Sequence, residues 1–352
     1  MLIRVIRTLY PHWGAYSGIN QFVRYLDQGK YSIDIRVVSD GDDDFPMQNQ
    51  AIRNCLRFLV QINGMRWYKL SDLTLEMRLL WECRRQNIDI IHYLDGEHSA
   101  QFLPQLLHRM GKPRPRIIAT YHQHPEMLKT LVRKQVIAKL DCVTLVSPEQ
   151  VPFFEELLPG NKIRMILHGV DTTYFRPVTR PKDNGIFRCI TVGHYQRDYN
   201  VVREVAQQLN QHQNIEFHIV TSRITGVEDL PNVRIYRDID DGRLLSLYQQ
   251  ADILFLPLLQ STANNALLEG MACGLPVVST DLLSVRSYVP SKDAILIKDN
   301  EPRQFVDAIL RLVHGKYERQ AMAISARKRA EELDWRNVVM QYEDLYSMVS
   351  IA

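Results

Sequence analysis

Asp252-Ile-Leu-Phe-Leu-Pro-Leu-Leu-Gln-Ser-Thr-Ala-Asn-Asn-Ala-Leu-Leu-Glu-Gly-Met-Ala-Cys-Gly-Leu-Pro-Val-Val-Ser-Thr-Asp281 reads as strand, loop, helix and strand in a row. The apolar run from Ile253 has no polar alternation, as a strand covered on both faces requires. Gln260–Asn265 is a polar loop, and the small and apolar residues up to Cys273 suit a short buried helix. Gly274 fits the C′ position that closes it. The N-terminus of that helix, at Asn264, Asn265 and Ala266, points free backbone N–H groups outward, a setting for an anion such as a diphosphate. Glu269 lies one turn further in, where its carboxylate can accept two hydrogen bonds from a vicinal diol such as a ribose.

The same alternation extends in both directions. LIRVIRT (2–8), YSIDIRVVS (31–39), IDIIHYL (88–94), PRIIATY (115–121), LDCVTLVS (140–147) and KIRMILH (162–168) read as strands of a first half. FRCITVG (187–193), IEFHIVT (215–221), VRIY (233–236), AILI (294–297) and the two strands of the opening segment make a second. Helical patterns separate them, among them Gly18–Asp27, Glu126–Lys139, Tyr199–Gln211 and Glu318–Leu333. Strands separated by helices predict parallel α/β sheets. Asp240-Asp241 suits the N-cap of the helix before Gln250. Two prolines, polar residues and a glycine mark Phe175–Gly185 as a linker. The expected division is residues 1–178, then 179–333, with a C-terminal amphipathic helix in 334–352. The 352 residues suffice for two such domains, each with its own core.

Composition narrows the classes. No apolar run nears the ~20 residues of a bilayer span, and the N-terminus reads as a strand rather than a leader. The five cysteines are scattered without metal-ligand spacing, and Cys142, Cys189 and Cys273 sit in apolar contexts, which suggests buried thiols there in a reducing, cytoplasmic setting. A net charge of +3 argues against a nucleic-acid binder. Residues 1–178 hold 23 Lys and Arg against 18 Asp and Glu, so the basic surplus sits in the first half. There Arg53, Arg57, Arg66, Lys69, Arg84 and Arg85 interleave with Phe58, Leu59, Val60, Trp67, Tyr68 and Leu70. That pattern fits a solvated face of ordinary helices, or a surface resting on an anionic membrane beside a lipid-linked acceptor.

With these residues in view, segment 252–281 resembles the donor-site signature of the retaining glycosyltransferase family 4, whose fold is GT-B: two Rossmann-like, doubly wound α/β domains facing a cleft. Leu167-His-Gly-Val-Asp-Thr-Thr-Tyr-Phe-Arg-Pro177 is similar to that family's segment before the linker. Ile190-Thr-Val-Gly-His194 is similar to its Val-Gly-Arg strand end, and Thr120-Tyr-His122 to the strand end carrying an active-site histidine. Ser17-Gly18 falls at its glycine-rich first loop, and Trp335, Tyr342 and Tyr346 match the helix that crosses back to the N-terminal domain.

The resemblance implies transfer of a sugar from a nucleoside diphosphate to an acceptor hydroxyl on a glycan or lipid-linked molecule, with retention. It implies no cofactor and no metal. The donor would meet Gly18, Gly193, Arg197, Ser261, Asn264, Asn265, Ala266 and Glu269, and His122 would be catalytic. His124, two residues on, is an alternative to it. Asp95 and Glu97 are strand-end loop carboxylates or an acceptor base. The chain departs from the family pattern in four places, one being the usual Arg/Lys pair on the diphosphate, reduced here to Arg197. Ser261 stands where the first carboxylate of a Glu-x7-Glu pair is usual, His194 replaces the arginine after Gly193, and Leu283, Ser284 and Ser287 stand in place of the "GG…E" motif after the next strand. The alternatives are a sugar-nucleotide epimerase and a non-catalytic relative acting as a binding subunit.

Overall fold

In a computed structural model the described residues are 1–10, 14–62, 65–110, 113–178, 185–289 and 294–351. The expected domain boundary at 178/179 abuts residues 179–184, which lie outside them. The chain forms two compact units. One comprises Met1–Trp13, Phe22–Leu167 and Val338–Ala352; the other comprises Gly14–Gln21 and His168–Asn337.

In the first unit six strands, β1 (Leu2–Leu9), β2 (Ser32–Ser39), β3 (Ile90–Tyr93), β4 (Arg116–Tyr121), β5 (Cys142–Leu145) and β6 (Ile163–Met165), make a parallel sheet of order β2-β1-β3-β4-β5-β6. Its helices are α1 (Gln50–Gln61), α2 (Leu70–Glu82), α3 (Gly96–Ser99), α4 (Leu103–Met110), α5 (Pro125–Leu131), α6 (Lys134–Ile137) and α7 (Val151–Glu155). Two expected helices differ. Gly18–Asp27 is a 3-10 turn over Ile19–Tyr25, and Glu126–Lys139 is split where Val132 and Arg133 turn extended. Every residue of β3 and β5 is buried, which accounts for their unbroken apolar character.

Glu76 on α2 is buried in this unit and saturated. Its carboxylate accepts from the Tyr68 and Tyr93 hydroxyls and from the backbone N–H of Gln101, Phe102 and Leu103. It therefore caps α4 from a distance, and burial raises its pKa against those bonds.

In the second unit β7 (Phe187–Val192), β8 (Ile215–Val220), β9 (Val233–Tyr236), β10 (Ile253–Leu256), β11 (Val277–Thr280) and β12 (Ala294–Ile297) form a parallel sheet of order β12-β11-β10-β7-β8-β9. Around it lie α8 (Tyr199–Gln208), α9 (Asp241–Gln250), α10 (Asn265–Ala272), α11 (Leu283–Tyr288), α12 (Pro302–His314) and α13 (Lys316–Glu332). The last helix, α14 (Trp335–Ile351), starts in this unit and continues into the segment grouped with the first. There Tyr342 stacks on Phe22 and the Tyr346 hydroxyl meets His92 Nδ1 at 2.8 Å.

In this second sheet β7 leads to β8 on one side and has β10 on the other. Strand order reverses there, and open α/β sheets bind ligands beyond the carboxyl ends of such a pair. Both expected donor segments, Gly193–Arg197 and Asn264–Glu269, follow those two strands. Among the described residues no helix is long and apolar enough to cross a membrane.

Candidate functional site

Helix α10 is built for close packing on β10. A Cβ on Gly270 would lie 2.8 Å from Leu254 Cδ2, so glycine lets the helix approach. At its far end the Gly274 N–H bonds Met271 O and the Leu275 N–H bonds Gly270 O, both at 2.9 Å. With Gly274 at φ +72° this is a Schellman closure. At the near end Asn264 is the N-cap, its Oδ1 accepting from the Leu267 N–H at 3.3 Å. The amides of Asn265 and Ala266 stand in the first turn, where helix geometry supplies no acceptor.

Arg197 reaches the same Asn264 oxygen from the loop after β7. Its guanidinium donates to Asn264 Oδ1 at 3.1 Å, to Val192 O at 3.0 Å and to Tyr195 O at 3.0 Å. Gly193 makes this possible. It sits at φ +89°, and a Cβ there would be 3.2 Å from Arg197 Nη2. Backbone bonds from Asp198 N to Pro257 O and from Leu259 N to Gln196 O, each 3.0 Å, tie the two loops together. A fixed cation thus stands beside a capped helix N-terminus.

Glu269, 4% exposed, follows one turn in. Its Oε1 accepts from the Ser17 hydroxyl at 2.5 Å and its Oε2 from the Tyr248 hydroxyl at 2.9 Å. Burial pushes its pKa up to about 7, against the pull of those two hydroxyls and the Arg197 charge. The segment that carries Ser17 is fastened to this unit at further points. The Ala15 N–H donates to Asp241 Oδ2 at 2.8 Å, and Tyr16 stacks on Tyr174 at 3.5 Å. Gly18 is buried at φ +91°, a turn that favours glycine. Ser261 is half-buried in the loop after β10.

All eight expected donor residues lie in the second unit: contacts join Gly193, Arg197 and Asn264, while Asn265, Ala266 and Glu269 follow on α10, Gly18 adjoins Ser17, and Ser261 lies in the loop before α10. Sequence reasoning missed Tyr248, the Ser17 bond and the role of Asp241. Asp240 alone caps α9, its Oδ1 accepting from Arg243 N at 2.7 Å, which leaves Asp241 for Ala15.

His122 belongs to the first unit, directly after β4. Its backbone N–H donates to Glu97 Oε1 at 3.0 Å, and its Nδ1 lies 3.8 Å from that oxygen. Burial lowers the imidazole pKa to about 4, so it is neutral at neutral pH. Burial, with Asp95 nearby, raises Glu97 to about 8. Asp95 itself rises to about 6, mainly by burial, and accepts the Thr8 N–H at 3.1 Å. His124 is the N-cap of α5. Among the described residues no three His, Cys, Asp or Glu side chains gather as a metal-ligand set.

The family model described as glycosyl transferases group 1 matches residues 187–315, and that of glycosyltransferase family 4 matches residues 14–174. The D-inositol 3-phosphate glycosyltransferase of Corynebacterium urealyticum is 23% identical over 257 residues, which is 64% of this chain and 60% of that protein. The protein of the same name from Streptosporangium roseum is 21% identical, over 73% of this chain and 66% of its own length. The match thus spans less than two thirds of either relative. Among solved structures, the sucrose-phosphate synthase of Thermosynechococcus elongatus superposes with a TM-score of 0.72 at 16% identity, covering 99% of this chain and 98% of its own. An Anabaena protein in complex with UDP and glucose gives 0.67 at 12% identity, over 99% and 100%. These structures share the fold.

Proposed function

Because the chain belongs to glycosyltransferase family 4, we propose that it moves a sugar from a nucleoside diphosphate to an acceptor hydroxyl, with retention and without a metal. One observation carries this reading: Arg197 and the N-terminus of α10 converge at the strand-order reversal, and Glu269 lies one turn behind them.

The diphosphate takes the Asn265 and Ala266 amides and the Arg197 guanidinium. The ribose hydroxyls take Glu269, displacing Ser17 from Oε1. As the bond between the anomeric carbon and the phosphate oxygen breaks, negative charge grows on the leaving diphosphate, and Arg197 with the helix N-terminus stabilises it. The acceptor oxygen attacks from the face the diphosphate leaves and gives its proton to the departing phosphate oxygen. This requires no protein nucleophile, and none is needed at Ser261. The first unit is the acceptor side, where neutral His122 positions the sugar or acceptor by hydrogen bonds. The acceptor is a glycan or a lipid-linked molecule, the setting is cytoplasmic, and no cofactor takes part.

Ser261, in place of a carboxylate, favours one second reading, a non-catalytic relative that binds the donor without turnover. A panel of UDP-, GDP- and ADP-sugars separates the two. Thermal stabilisation by one nucleotide, with its diphosphate released on turnover and both lost in Glu269→Ala, is the expected result. Stabilisation without release supports the second reading. No response to any nucleotide sinks both.

A further inference from the structure

Helix α1 carries its apolar face outward. At 100° per residue Ala51, Ile52, Cys55, Phe58, Leu59 and Ile62 fall on one stripe about 120° wide. All six are exposed, with Phe58 at 64%, Leu59 at 52% and Ile62 at 58%. The opposite side holds Val60, which is buried, and two arginines turned toward the protein. Arg57 clasps the Asp42 carboxylate, and Arg53 donates to Asp42 O at 2.7 Å. An amphipathic helix that packs on a core does the reverse.

A second apolar feature lies beside it. Phe45, Pro46, Leu73, Met77, Arg78 and Trp81 line most of a groove of about 430 Å³. Phe45 also belongs to the small core beneath α1, with Val60, Tyr68 and Leu70. Trp81 is 53% exposed, and the Arg85 guanidinium lies 3.6 Å from its ring centre.

Charge says what covers this surface. Between residues 45 and 88 the exposed ionic groups are Arg66, Arg78, Arg84 and Arg85. The carboxylates of that stretch are withdrawn: Asp72 and Glu76 are buried, and Glu82 pairs with Arg4 and Arg36. In the acidic loop before that stretch Asp42 is buried on the inward side of α1 against Arg53 and Arg57, while Asp43 and Asp44 are exposed, Asp44 accepting from Ser39. A second copy would bring arginines against arginines, whereas an anionic bilayer complements both the cations and the stripe. An aromatic ring with a cation over it suits the headgroup boundary.

We propose that the outward stripe of α1 and the α2 groove form a docking surface for anionic lipid, on which α1 lies in the plane of the interface. This deepens the lipid-linked option for the acceptor and rests on the glycosyltransferase reading for that alone. Binding is measured without turnover, so the two can fail separately.

The test is sedimentation of the full chain with phosphatidylcholine vesicles with or without about 30% phosphatidylglycerol. Binding to the anionic vesicles is expected, weakened by salt and cut about tenfold or more in Phe58→Glu/Leu59→Glu. Arg78→Gln and Arg85→Gln are each expected to cost about fivefold. Brominated lipid should quench fluorescence that Trp81→Phe removes. Far-UV circular dichroism and the melting temperature, unchanged in every variant, report folding. Absence of binding to anionic vesicles overturns the proposal. So does a lipid-free dimer that Phe58→Glu dissociates, which would assign the stripe to a second copy.

Discussion

Replacing Glu269 by glutamine tests the ribose contact through pH. The carboxyl is buried and its pKa stands at about 7 in the free protein. At pH 6 about a tenth of it is ionised, and at pH 8 about nine tenths. Only the ionised form offers both oxygens as acceptors to two hydroxyls. Nucleoside diphosphate affinity should therefore rise about tenfold between these pH values through this group alone, or about 1.4 kcal/mol. Diphosphate ionisation also changes there, but it is common to wild type and Glu269→Gln. Titration calorimetry of both proteins at several pH values isolates the difference. The variant should bind more weakly, and its disadvantage should grow about tenfold from pH 6 to pH 8. Stability carries the opposite sign. A carboxyl raised from 4.5 to about 7 favours the folded state fully below pH 4.5 and loses that contribution as pH climbs to 7. The cost above pH 7 is at most about 3 kcal/mol, so Glu269→Gln should melt higher than wild type at pH 8 and gain little at pH 5. Parallel affinity curves for the two proteins would refute the reasoning.

Two further substitutions probe the same unit. Ser17→Ala removes a hydroxyl that the ribose must displace from Glu269. A bond to a charged group is worth roughly 1.5 kcal/mol, so nucleotide affinity should rise by up to about tenfold in calorimetry, and no change would show that Ser17 does not compete. Gly270→Ala drives a Cβ to 2.8 Å from Leu254 Cδ2. Overpacking of that kind costs about 1–3 kcal/mol and should lower Tm by about 2–4 °C per kcal/mol, whereas an unshifted melt would mean that α10 and β10 can part freely.

The strands were legible because buried parallel strands leave apolar runs that punctuation separates, as in the wholly buried β10, which lies inside the apolar run read from Ile253 onward. Helix α10 was legible at both ends because Asn264 and Gly274 are residues that caps require. The Ser17–Glu269 bond was not, since its partners are 252 residues apart and neither residue type announces the other. Tyr248 sits in the buried face of α9, where a tyrosine reads as core until its hydroxyl is seen on Glu269. For α1 periodicity identifies an apolar stripe, and only the fold reveals that the stripe points outward.

The most direct test is a crystal structure with a bound nucleoside diphosphate. It should place the phosphates at Arg197 and the Asn265 and Ala266 amides, and the ribose on Glu269, with the Ser17 hydroxyl moved away. A nucleotide seated elsewhere, with Glu269 still held by Ser17 and Tyr248, would contradict the account.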